Sequence, residues 1–149
     1  MSIEELAYEF REALDIIKDN GPHAGFYNLR FFPDGFCGPA SDLLAEYLMD
    51  NGIKKERIQH VSCSRCVGGY SHCWLVIDDS LVVDITADQF NQKRHFNKYG
   101  CIPKCCLVPQ NTYIYQLFDV RKEDYTHNIG INSYQGDMLS RLRIIVSAQ

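Results

Sequence analysis

Cys37, His72 and Asp84 stand in a chain order and in local settings that suit attack on a carbonyl carbon. A cysteine attacks as its thiolate, an imidazole takes up and returns a proton near neutral pH, and a carboxylate can hold the imidazole in one orientation. After Cys37, the residues Ala40, Leu43, Leu44, Tyr47 and Leu48 recur at the i, i+3, i+4, i+7, i+8 spacing of an amphipathic helix, with Asp42, Glu46 and Asp50 facing elsewhere. Pro39 suits the first turn of that helix and Gly52 its C-terminal cap. Cys37 therefore sits at or just before a helix start, where unpaired N–H groups and the positive end of the helix dipole favour a thiolate. Such settings bring a thiol pKa from about 8.5 to roughly 3.5–7.5.

The base lies on a predicted β-hairpin. Residues 73 to 77 and 81 to 85 are apolar and rich in β-branched side chains, and an Asp-Asp-Ser stretch separates them. His72 opens the first strand, on one face with Trp74 and Val76. A two-residue turn at Asp79 and Ser80 puts Asp84 opposite Leu75, on the wrong face. A three-residue turn over residues 78 to 80 pairs Ile77 with Leu81 and Trp74 with Asp84, which leaves Asp84 diagonal to His72 on one face. A Cys-His-Asp triad thus requires the odd turn; otherwise the third role passes to Asp88, Gln89 or no residue. Trp74, Asp88 and Gln89 are candidate substrate-lining residues, Gln89 as a hydrogen-bond donor.

Together these features resemble the transglutaminase-like branch of the papain-like cysteine enzymes. Gly35-Phe36-Cys37 is similar to the family's Gly-x-Cys at the head of the nucleophile helix, His72-Cys73-Trp74 to its His-x-Trp, and Asp84-Ile85-Thr86 to its Asp-x-Thr. The resemblance covers residues 31 to 90. It implies Cys37 as nucleophile, His72 as general base and acid, and Asp84 as the group that orients the imidazole through Nδ1, with Nε2 towards Cys37. The chain departs from the family pattern at Gly38, where the animal enzymes carry a bulky aromatic. It departs again at Phe31, where papain-type enzymes place an oxyanion glutamine.

The elements that must position these residues can be read around them. Residues 2 to 19 are predicted helical, with a capping box of Ser2 and Glu5 and an apolar stripe of Leu6, Phe10, Ala13, Leu14 and Ile17. Residues 23 to 36 read as a loop whose aromatics, Phe26, Tyr27, Phe31 and Phe32, either line a cleft or cover the Cys37 helix. Residues 58 to 63 read as a strand joining the hairpin's sheet, residues 91 to 108 as an irregular excursion, and 112 to 120 as a strand with Tyr113, Tyr115 and Leu117 on one face and Ile114 and Phe118 on the other. Residues 121 to 132 read as a polar connection. A last helix spans 133 to 148, with Met138, Leu139, Leu142, Ile145 and Val146 as its stripe.

The 149 residues, 46% hydrophobic, fit one domain over residues 1 to 149, and no stretch reads as a membrane span. A formal charge of −4 without a basic run gives a nucleic-acid backbone or an anionic membrane nothing to hold. The acidic start lacks an apolar leader core, which points to the cytoplasm, or to export as an effector by another route. The seven cysteines then read as reduced thiols or metal ligands rather than a disulfide framework. Cys63 and Cys66, with Cys101, Cys105 and Cys106, could form an irregular zinc site, whereas packing or surface thiols are the simpler reading. His23, His60, His95 and His127 lack patterned company and read as surface residues.

The expected architecture is α+β, papain-like or transglutaminase-like, with helices packed as a shell around an antiparallel sheet. The expected activity is that of a thiol-dependent amide hydrolase or acyltransferase (peptidase, amidase or protein glutamine deamidase), with a protein or peptide as substrate and no cofactor. The rival reading is a non-enzymatic protein-binding module, zinc-stapled or degenerate.

Overall fold

The computed structural model describes residues 1–21, 23, 27–63, 68–118, 125–126 and 131–149. Phe26, Cys66, His127 and most of the polar connection therefore lie outside the described residues. Helix α1, Ile3–Asn20, begins as its sequence predicts: Ser2 Oγ accepts from the Glu5 N–H at 3.1 Å, and the Glu5 carboxylate accepts from the Ser2 N–H at 2.7 Å. Helix α2, Cys37–Asp50, buries Ala40, Leu43, Leu44, Ala45, Tyr47 and Leu48, and Gly52 turns the chain away at φ 89°. Helix α3, Ser133–Ser147, starts from a second capping box, formed by Asn132 and Gln135, and buries Met138, Leu139 and Leu142.

Among the described residues five antiparallel strands make one sheet: β1 Ile58–Cys63, β2 His72–Ile77, β3 Leu81–Asp84, β4 Cys106–Pro109 and β5 Tyr125–Thr126, in the order β4-β3-β2-β1-β5. The hairpin takes the odd turn. Ile77 pairs with Leu81, Val76 with Val82 and Leu75 with Val83, so the next step sets Trp74 opposite Asp84. Asp78 and Asp79 adopt φ 52° and 56°, a left-handed conformation that aspartate tolerates better than most residues. Arg57 fixes this turn: its Nε and Nη2 donate to the two carboxylate oxygens of Asp78 at 2.8 and 2.7 Å.

The two faces of the sheet are covered differently. All three helices lie on one face, over Ile58, Leu75, Ile77, Val83 and Ile85. The other face, bearing Val61, Trp74, Val76 and Val82, is closed by Phe90, Phe96, Ile102, Ile114, Tyr115 and Phe118 from short 3-10 turns and loops. The helices are therefore a layer on one side and not a shell around the sheet.

Two segments depart from the sequence reading. Strand β4 arises inside the stretch expected to be irregular. Residues 113 to 117 form a 3-10 helix, Tyr113–Leu117, instead of a strand. There Ile114, Tyr115 and Phe118 are all buried, a spacing of one and three that a turn of helix brings to one side and a strand would split. His60, expected at the surface, is 8% exposed and its Nδ1 lies 3.1 Å from Asp42 of α2. Among the described residues no helix is long and apolar enough to cross a membrane.

Candidate active site

Cys37 is the first residue of α2. Phe36, the residue before it, offers no side-chain cap, so the first-turn N–H groups are left to whatever negative charge the site holds. No acidic residue in that turn competes for them. The Cys37 thiol is half-buried and is drawn down to about 4. The largest cause is a hydrogen bond from the Cys73 thiol; burial opposes it, and the His72 ring and the Cys73 backbone add to it. The two thiols share one proton between them, and the charge belongs on Cys37, which alone combines the helix terminus with the imidazole. Cys73 correspondingly holds its proton well beyond the usual thiol range.

His72 is fully buried, and its Nε2 donates to Asp84 Oδ2 at 2.6 Å. Burial pushes the imidazole pKa down, but the Asp84 charge and hydrogen bond and the Cys37 thiolate outweigh it and raise the ring to about 9. Asp84 is itself 2% exposed and satisfied on every side. Oδ1 accepts from the Thr86 N–H at 2.9 Å and the Thr86 hydroxyl at 3.1 Å, and Oδ2 accepts from the Tyr115 hydroxyl at 2.6 Å as well as from His72. Four donors on a buried carboxylate hold it ionised, and its pKa is lowered despite its burial.

The ring nitrogens are used in the reverse of the expected sense. Nε2, not Nδ1, meets Asp84, and Nδ1 is left for the Cys37 side. The physical reason is reach. Nε2 lies at the far end of the ring and spans from β2 to the carboxylate on β3, whereas Nδ1 stays near its own backbone, beside the start of α2.

The other candidate residues are distributed unevenly. Gln89 Nε2 donates to the Thr86 carbonyl at 2.9 Å and lies 3.2 Å from His72 Nδ1, so it supports the ring as a neutral acceptor. Trp74 is 1% exposed and packs on His72, with ring centroids 5.6 Å apart; it backs the imidazole and does not line a substrate surface. Asp88 gives both carboxylate oxygens to Arg11 of α1 at 2.8 Å and is taken up in that ion pair. Arg11, 2% exposed, also donates to the carbonyls of Ile85 and Lys104 at 2.6 and 3.1 Å, and so pins the segment that follows Asp84.

Two residues of the site were not read from the sequence. Tyr115 reaches the site from a 3-10 turn where the sequence predicts a strand, and its spacing with Ile114 and Phe118 is the signal for that turn. Cys73 was passed over, although its place beside His72 on a strand puts it on the opposite face, towards α2.

The described cysteines are not gathered around a metal. Cys63 is buried on the aromatic face, Cys101 is exposed, and Cys105 and Cys106 point to opposite sides of the sheet. Among the described residues no three His, Cys, Asp or Glu side chains are placed to hold an ion. No family model, no curated protein and no solved structure matches this chain.

Proposed function

We propose that this chain is a thiol-dependent amide hydrolase or acyltransferase, built in the papain-like or transglutaminase-like manner and acting on a glutamine or peptide amide of a protein or peptide. The observation that carries the reading is the convergence of three elements. The head of α2 supplies a lowered thiol, β2 a buried imidazole, and β3 a carboxylate 2.6 Å from that imidazole.

The steps follow from these atoms. The Cys37 thiolate adds to the amide carbon, and the first-turn N–H groups of α2 face the developing oxyanion. His72, protonated at Nδ1 while the thiolate is free, passes that proton to the leaving amine and becomes neutral. The Gln89 amide donates to the vacated Nδ1 only until water displaces it there, and Asp84 keeps Nε2–H in place throughout. Water activated by the neutral ring resolves the acyl-enzyme; an amine in place of water gives acyl transfer. Hydrolysis is the preferred outcome, since water needs no second binding surface beside Cys37.

The test is ammonia or amine release from glutamine-containing peptides, together with iodoacetamide labelling of the full chain. Cys37 is expected to be alkylated first among the seven thiols, and Cys37→Ala to fold and to release nothing. Unaltered release by that variant would remove Cys37 from the reaction.

A further inference from the structure

We propose that Cys73 is the resolving thiol of Cys37, so that a hydroperoxide converts the two into a reversible disulfide across the head of α2. The inference rests on the reading of Cys37 as a half-buried, reactive thiolate, and on no particular amide substrate. Its basis is placement. β2 alternates, so His72 faces the aromatic side and Cys73 the helix side, and both meet Cys37 where α2 abuts the strand. The Cys73 thiol donates to Ser62 Oγ at 3.6 Å, its sulfur stands 4.0 Å from where a side chain on residue 38, next to Cys37, would begin, and it is close enough to Cys37 to stabilise the thiolate there. Gly38 leaves that space open.

The chemistry proceeds in two balanced steps. The Cys37 thiolate attacks the terminal oxygen of the hydroperoxide; an S–O bond forms, the O–O bond breaks, and the leaving alkoxide takes the Nδ1 proton of His72. Cys37 is oxidised to a sulfenic acid and the hydroperoxide is reduced to an alcohol, or to water if it is hydrogen peroxide. The Cys73 sulfur then attacks the Cys37 sulfur; the S–S bond forms, the S–O bond breaks, and hydroxide leaves with the Cys73 proton as water. The order is built in. What holds Cys73 protonated is first of all its hydrogen bond to the Cys37 thiolate, and a neutral sulfenic acid removes that charge.

The test uses the reduced full chain, hydrogen peroxide and peptide mapping. Trypsin followed by chymotrypsin cuts after Tyr70 and so separates Cys66 from Cys73. The expected product joins the Cys37 and Cys73 peptides with the loss of two hydrogens, and dithiothreitol restores both thiols. In Cys73→Ala, and in Cys73→Ser, which keeps a hydroxyl donor, Cys37 should instead advance to sulfinic and sulfonic acids that dithiothreitol cannot reverse. A parent chain whose Cys37 over-oxidises as fast as in these variants, or cross-links to another cysteine, overturns the inference and leaves the amide chemistry standing. A Cys37 no more sensitive to peroxide than Cys101 overturns both.

Discussion

The helix-covered face of the sheet is aliphatic and regular, whereas the opposite face is aromatic and closed by short 3-10 turns. In the proposed reaction the first supplies the nucleophile and the second the proton chemistry. Leu43, Leu44, Leu75 and Ile77 anchor α2 so that Cys37 is presented at a helix head, while Trp74, Phe90 and Phe118 surround the His72 ring with centroid distances of 5.6, 4.8 and 5.4 Å. Aliphatic packing fixes where a backbone terminus lies. Packed rings in a dry pocket fix an imidazole plane and strengthen its hydrogen bond to Asp84. The two faces should therefore fail differently, one through stability and the other through reactivity.

Loss of the base is the hardest test of that division. His72→Ala is expected to lower turnover by about 10²- to 10⁴-fold and to change the pH profile of Cys37 alkylation. In the parent chain the lowered thiol keeps its reactivity above about pH 4 and loses it as pH falls through that value; the imidazolium beside it is lost as pH rises through about 9. Without His72 the acid limb should move up towards the ordinary thiol range, with Cys73 and the head of α2 opposing the move. An iodoacetamide profile unchanged in the variant would break the comparison.

Asp84→Asn comes next. Its side-chain nitrogen must face two of the four donors, either both groups of Thr86 or His72 and Tyr115, so the His72 ring loses its acceptor or its orientation, and turnover is expected to fall by about ten- to ten-thousand-fold while folding persists. Retained activity would return the third role to Gln89 or to no residue.

On the other face, Leu44→Ala empties a fully buried position and should cost about 2–5 kcal/mol of stability in denaturant unfolding. The alkylation profile of the molecules that remain folded should be unchanged; a shifted acid limb would show that the aliphatic face tunes the thiol as well as holding it. Tyr115→Phe should have the smallest effect. It removes one of Asp84's four donors, a hydrogen bond to a charge worth about 1.5–3 kcal/mol, and turnover should drop roughly tenfold, with the loss in kcat rather than KM.

The same contrast governs what the sequence made legible. On the helix face, periodic apolar residues, the capping box of Ser2 and Glu5 and a glycine stop are local signals, and α1, α2 and α3 follow them within a residue or two. The hairpin register was legible as a condition, since only a three-residue turn unites His72 with Asp84, and the strands pair in that way. Around Asp84 and the segment after it the decisive contacts are between residues far apart in the chain. Tyr115 reaches Asp84 from 31 positions away and Arg11 reaches Asp88 from 77, and no local spacing names either partner. The nitrogen assignment of His72 was illegible for a further reason: it depends on the distance between strands and not on residue type.

The strand order also bears on how this chain behaves among copies of itself. The two six-residue strands, β1 and β2, lie inside the sheet, and the borders are β4, four residues ending in Pro109, and β5, two residues among those described. A border strand exposes a row of unsatisfied backbone groups on which another chain can add, and short borders interrupted by proline offer little length for such addition. The apolar, β-branched β2 is thus paired on both sides, and the architecture that gathers the thiol and the imidazole also keeps this segment from templating another chain.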